Sequence, residues 1–283
     1  MRSPLLSKRH FLKQAALSAC AVAAFPSLVQ AAKARLPVGL QLYSVRDDCQ
    51  KDLVKTVSAV SKIGYKGVEF AGYYGRDART LRQLLDDNGL KCCGTHIGLD
   101  TLLGDNLAKT IEFNRTLGNP YLIVPGLDDK YRSSRKAWRE TADLFNDIAG
   151  KLKPHGMRVG YHNHTVEFAP MDGELPWDTF FGNTKKEVVM QFDTGNAMEG
   201  GGDATVFLKK YPGRAATVHI KPFSKAKSNA LVGDDELPWT QIFKLCEGKA
   251  KTEWYIVEYE SDAYPPLVSV EKTFEVLRRW GKV

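Results

Sequence analysis

Short apolar runs alternate along this chain with longer segments in which apolar residues return every three or four positions. The runs occupy residues 38–45, 65–71, 90–97, 121–125, 158–164, 188–193, 215–221 and 254–260, and each has the length of a buried strand. Between them lie helical patterns. Leu53, Val54, Val57, Val60 and Ile63 stop at Gly64, Leu81, Leu84 and Leu85 stop at Asn88-Gly89, and Leu107, Ile111 and Leu117 stop at Gly118. The longest pattern starts at Ser134, a good N-cap residue, and runs through Trp138, Ala142, Phe145, Ile148 and Leu152 to Pro154. Weaker helical patterns cover residues 177–181, 204–210, 239–246 and 268–280. Eight strand and helix pairs in about 250 residues predict an α/β fold, a single-domain (β/α)8 TIM barrel. A doubly wound open sheet is the alternative, but no glycine-rich phosphate fingerprint follows the first strand.

A barrel of this kind collects its chemistry at the C-terminal ends of its strands. The stretch RVGYHNHTVEF (158–168) ends its apolar run in His162, Asn163 and His164. Alternate residues of a strand share a face, so His162 and His164 point the same way and either can serve as a ligand. Asp193, His219 and Glu258 stand at the ends of the sixth, seventh and eighth runs. Any one of them alone reads as a hydrogen-bonded polar residue. Their recurrence at successive strand ends predicts a divalent-metal site. Glu69 and His96 end earlier runs, as substrate contacts or partners of neighbouring groups. Tyr43, Trp177 and Trp239 are candidates for stacking on a sugar ring, against a packing role. Gly200-Gly201-Gly202 reads as a flexible loop near the barrel mouth.

The first residues have a different character. Arg2, Lys8, Arg9 and Lys13 form a positive leader ahead of a small-residue apolar run, 15–25, and a Val29-Gln30-Ala31 cleavage-type triplet. Residues 7–13 resemble a twin-arginine export signal in which Lys8 replaces the first arginine. We therefore expect residues 1–31 to be an export signal, 32–283 to be the barrel, and the mature protein to be periplasmic. Leu17-Ser18-Ala19-Cys20 imitates a lipoprotein box but has almost no apolar run ahead of it. The leader carries four basic and no acidic side chains, so its removal lowers the net charge from +7 to +3. That modest value argues against a nucleic-acid partner. No apolar stretch reaches the roughly 20 residues of a membrane span, so no membrane association is expected once the leader is gone. Cys49, Cys92, Cys93 and Cys246 lack CxxC spacing and read as small buried hydrophobes.

The motifs GLQLYSVRD, KGVEF, GTHIG, YHNHTVEF, FDTGNA, VHIKPF and IVEYE, in this order, resemble the xylose isomerase-like TIM-barrel superfamily of sugar isomerases and epimerases. The resemblance covers residues 36–280. It implies one divalent ion, manganese first, with zinc, cobalt or magnesium as alternatives. Carried over by position, the ligands are His162, Asp193, His219 and Glu258, with His162 standing where the family has a strand-five glutamate. A branch with inosose dehydratase-like proteins carries a similar histidine-rich strand-five motif. The implied chemistry is enediolate formation beside a carbonyl, with Glu258 as ligand and acid/base. Glu167 is then the candidate second base, against a reading as a surface or salt-bridged carboxylate. Lys221 would hold an anionic oxygen. Tyr43, Glu69, His96, His164 and Trp239 would contact substrate.

Export favours a non-phosphorylated sugar, keto-sugar or glycoside as the carbohydrate substrate. Isomerisation or epimerisation is the first expectation, and a lyase or dehydratase acting on a keto-sugar, keto-glycoside or inosose is the alternative. An apurinic endonuclease, a relative on the same barrel, needs more histidines, and Asn196 occupies one of their positions. A non-catalytic sugar-binding barrel is disfavoured by the retention of Asp193, His219 and Glu258.

Overall fold

Runs such as Tyr121-Leu-Ile-Val and Val189-Met-Gln-Phe are buried throughout, as strands covered on both faces must be. The computed structural model describes residues 35–261 and 264–283. The export-signal reading of residues 1–31 lies outside the described residues. All eight expected strands form: β1 (Val38–Gln41), β2 (Gly67–Ala71), β3 (Lys91–His96), β4 (Tyr121–Val124), β5 (Arg158–His162), β6 (Val189–Asp193), β7 (Thr217–Ile220) and β8 (Trp254–Val257). Each pairs in parallel with its sequence neighbours, and β1 pairs with β8 to close the barrel. This is a single (β/α)8 barrel in the unit Arg35–Val283.

The helices are α1 (Arg46–Ile63), α2 (Ala78–Asp87), α3 (Asn106–Leu117), α4 (Asp129–Arg132), α5 (Arg135–Leu152), α6 (Pro176–Asn183), α7 (Thr194–Glu199), α8 (Ala204–Lys210), α9 (Trp239–Leu245) and α10 (Pro266–Arg279). Ser134 caps α5 as expected, its hydroxyl accepting the Ala137 amide at 3.1 Å. Gly118 ends α3 in the left-handed region. The first strand is shorter than its apolar run. The Gln41 side chain accepts the Tyr43 amide at 3.0 Å and turns residues 42–45 into a 3₁₀ segment.

Two-residue periodicity stacks the barrel interior in tiers. On β6, Val189, Gln191 and Asp193 share a face, and on β7 Thr217, His219 and then Lys221 do so. The lower tier is an apolar plug of Tyr121, Ile123, Val189 and Ala216 with Trp254 against it. Above it, Gln41, Glu69, Gln191 and Thr217 are fully buried and hydrogen-bonded. The upper tier holds the imidazoles and carboxylates. The larger apolar cluster fills the space between strands and helices. The four cysteines of this unit are buried and unbridged, as their spacing implied. Among the described residues no helix is long and apolar enough to cross a membrane.

Candidate metal centre

Four strand ends bring His162, Asp193, His219 and Glu258 together, all buried, with one ligand atom from each within 4.8 Å of the others. A second set, His96, His162 and His219, shares two of these residues. Asp193 both ends β6 and caps α7, its Oδ1 accepting the Asn196 amide at 2.7 Å. Its other oxygen, Oδ2, is buried with no hydrogen-bond partner and lies 3.7 Å from Nδ1 of His219. His219 Nδ1 also lies 2.7 Å from Glu258 Oε2. A buried carboxylate oxygen left bare is costly unless something electropositive sits beside it. A divalent ion held by two imidazole nitrogens and carboxylate oxygens would meet that need, and the donor set suits manganese, zinc or cobalt. The residues fit the implied metal.

The tautomers follow from the partners. His219 places Nε2 2.7 Å from Glu69 Oε2, so Nε2 donates to that carboxylate, and Nδ1, 2.7 Å from Glu258 Oε2, is the nitrogen a cation would take in place of a proton. His162 places Nδ1 3.2 Å from Gln191 Oε1, which leaves Nε2 as the nitrogen available to an ion. Gln191 Oε1 also meets His96 Nε2 at 2.6 Å, while its Nε2 donates to Glu69 Oε1 at 2.7 Å and Thr217 Oγ1 at 3.0 Å. Every hydrogen-bonding position of the Gln191 amide is therefore used.

The electrostatics agree with a cation here. Burial alone would push His219 down, but the carboxylates of Glu69 and Glu258 hold it well above the usual imidazole range. Positive charge is thus favoured at this point. Burial, with His219 and His96 adding to it, holds His162 well below its ordinary value, as a neutral imidazole. Burial opposes ionisation of Glu69 and Glu258. The charges of His96 and His219 nevertheless keep Glu69 low, and Lys221 and His219 do the same for Glu258. Lys221 Nζ donates to Glu258 Oε1 at 3.0 Å and also pairs with Glu260. Those carboxylates overcome its burial and raise its ammonium.

Several expectations need correction. Glu167 is buried, but its Oε1 accepts the Tyr161 hydroxyl at 2.5 Å and its Oε2 the His164 amide at 2.8 Å. Both oxygens hold the loop that carries the histidines, so Glu167 is neither a surface carboxylate nor free to act as a second base. Trp239 is buried against Phe243 and Trp280, with its indole N–H on Asp235, and presents no face to a sugar. Trp177 is likewise enclosed by Phe168, Phe181 and Phe192. The glycine triplet is not a loose loop. A Cβ on Gly200 would lie 2.6 Å from the Thr165 carbonyl oxygen, and one on Gly202 would lie 2.6 Å from the Phe168 ring.

Other predicted residues do gather at the mouth. His164 is exposed, its ring centred 5.1 Å from that of His162, so the two share a side and only His162 enters the cluster. His96 stacks on His219 at 5.5 Å. Tyr43 is exposed above β1 with the Arg46 guanidinium over its ring. Glu69 lies below the cluster, where it meets His219 rather than substrate. Asn163 and Gln191 went unrecognised in the sequence. Asn163 exchanges hydrogen bonds with the Asp193 backbone, donating at 3.0 Å and accepting at 2.8 Å. The signal for Gln191 was its place two residues before Asp193 on the same strand face.

Comparison with known proteins agrees with this geometry. The family model for the xylose isomerase-like TIM barrel matches residues 57–280. An inosose dehydratase of Serratia proteamaculans is 26% identical over 245 residues, covering 73% of this chain and 82% of the relative. A sugar phosphate isomerase/epimerase from Parabacteroides distasonis superposes with a TM-score of 0.75 at 24% identity, over 88% of this chain and 95% of that one. An L-ribulose 3-epimerase superposes with a TM-score of 0.64 at 15% identity, over 87% and 97% of the two chains. At such identities the solved structures speak for the fold.

Proposed function

Because the chain belongs to the xylose isomerase-like TIM barrel family, we propose that it is a divalent-metal-dependent sugar isomerase or epimerase acting through an enediolate on a non-phosphorylated sugar or keto-sugar. The observation that carries this reading is the buried, unpartnered Asp193 Oδ2 in a cluster where His162, His219 and Glu258 each bring a ligand atom close to it. Manganese is the proposed ion, with zinc, cobalt and magnesium as the alternatives. When bound there, it would polarise a substrate carbonyl and stabilise negative charge on its oxygen.

This chain's residues supply the rest. Glu258 is ionised and held toward the centre by Lys221. It removes a proton from the carbon beside the carbonyl, and the C–H electron pair becomes the double bond of the enediolate. Lys221 offers its ammonium to the developing oxyanion. Return of the proton by Glu258 to the neighbouring carbon gives an isomer, whereas an epimer needs the same carbon to take a proton on its opposite face from a second donor such as solvent.

One observation favours a second reading, a lyase. With Glu167 tied to Tyr161 and the His164 amide and Asp193 capping α7, Glu258, held by Lys221, is the carboxylate best placed for proton transfer. In elimination the same C–H electron pair forms the double bond and expels a β-oxygen. The proton carried by Glu258 passes to that leaving oxygen, so water or an alcohol departs with no net proton change. The inosose dehydratase similarity is in keeping with this chemistry.

The test is incubation of manganese-loaded protein with keto-sugars and inososes in D2O, followed by NMR. Deuterium at the carbon beside the carbonyl supports enediolate chemistry. An isomer or epimer as product identifies the first reading, and an unsaturated ketone the second. No exchange into any of these compounds overturns both. We also propose export to the periplasm, resting on the leader at residues 1–31. Cell fractionation of an Arg9→Gln variant should find it retained inside, whereas unchanged export would contradict the twin-arginine route.

A further inference from the structure

Beside the metal cluster lies a cavity of about 690 Å³, bordered by Lys221 and Glu260 and lined by Asn196, Phe223, Ser224, Lys225 and Ser228. It begins where the reacting groups end, because Lys221 Nζ also holds Glu258. Its volume lies in the upper part of the range for small-molecule pockets, about 300–1,000 Å³. That volume exceeds what a single sugar ring fills.

The wall is built, not collapsed. Residues 221–238 join β7 to α9 without a helix or strand, a length at which connections usually serve function. Glu236 ties the two ends of this segment together. Its Oε1 accepts the Ser224 hydroxyl at 2.7 Å and the Lys225 amide at 2.9 Å, and its own amide donates to the Phe223 carbonyl at 3.0 Å. Leu231 and Val232 are buried within the same segment and anchor it to the barrel.

The lining specifies what fits. Lys221, Lys225 and Lys227 are balanced by Glu199 and Glu260 in the same wall. Lys221 is already paired with two carboxylates, and Lys227 lies 4.0 Å from Asp234. The wall therefore offers hydroxyls, an amide and ammonium donors around the Phe223 ring, without a strong net charge. That combination suits a neutral polyhydroxyl ring, hydrogen-bonded at its rim and apolar on its face.

We propose that this cavity is a second-sugar subsite, and that the substrate is a disaccharide or glycoside. The carbonyl-bearing ring would meet Glu258, and the other ring would fill the cavity. The inference rests on the enediolate reading for the first ring, but its binding test does not depend on turnover. Isothermal titration and saturation-transfer NMR on the manganese-loaded mature protein would compare glucose with cellobiose, maltose, lactose and trehalose. We expect at least one disaccharide to bind about tenfold more tightly than glucose. Ser228→Trp, which fills the cavity from an exposed position, should abolish that advantage and leave glucose binding, metal content and melting temperature unchanged. Lys225→Ala, a smaller change at the same wall, should reduce it severalfold. If no disaccharide exceeds glucose, or if both variants keep the preference, the proposal is overturned. Retained disaccharide preference with no deuterium exchange in any keto-sugar would instead overturn the enediolate reading alone.

Discussion

Replacing Gln191 with leucine removes the one side chain that touches both imidazole systems and Glu69. Four hydrogen bonds go, at 2.6 Å to His96, 3.2 Å to His162, 2.7 Å to Glu69 and 3.0 Å to Thr217. Two of the partners recover readily, because the Thr217 hydroxyl rotates and His96 is partly exposed. Glu69 Oε1 and His162 Nδ1 remain buried and unpaired, each at about 1–3 kcal/mol. The apo protein should therefore lose about 2–6 kcal/mol, a large share of a typical 5–15 kcal/mol stability. His162 also loses the acceptor that fixes its tautomer, so manganese or zinc affinity should fall about 10–100-fold. Thermal melts of the apo protein and isothermal titration with each metal measure the two effects separately. A variant that is destabilised yet binds metal as tightly as the parent would refute the positioning argument. One with unchanged stability would show that the network is not formed.

Two further substitutions separate the site from its scaffold. A Cβ at Gly94 would lie 2.3 Å from Glu69 Oε1. Gly94→Ala should therefore displace the carboxylate that orients His219, costing about 1–3 kcal/mol and roughly tenfold in metal affinity. Both are measurable by melting and titration. Arg214 is buried at the opposite end of β6 and β7, where it donates to carbonyls of Phe181, Lys185 and Val188 and to Thr184; burial brings its guanidinium down to about 10. Arg214→Met should cost about 3–5 kcal/mol by leaving those acceptors bare, and metal affinity in the surviving folded protein should not change.

Much of this architecture was legible because strands covered on both faces must be apolar, and eight such runs separated by helical periodicity leave few alternatives. The cluster was legible for a related reason. His162, Asp193, His219 and Glu258 interrupt apolar runs at the one end where a barrel can use them. The errors arose where sequence position does not determine direction. Glu167 lies five residues after His162, yet a 3₁₀ turn at Val166–Phe168 folds it back beneath the loop onto Tyr161. Trp239 opens a helix, and its partners Phe243 and Trp280 come from four residues and forty-one residues downstream. The glycine triplet looked flexible because its packing partners, Thr165 and Phe168, belong to a different strand end. Gln191 sat within an apolar run as a single polar letter, and only strand periodicity joins it to Asp193.

The central claim is that four strand ends form one divalent-metal site. Elemental analysis of the purified protein, beside an Asp193→Asn, His219→Ala double variant of matched folding, tests it most directly. The account predicts about one ion per chain in the parent, or after reconstitution with manganese, and none in the variant. Equal metal content in the two proteins, or no binding of manganese, cobalt or zinc by the parent, would contradict it.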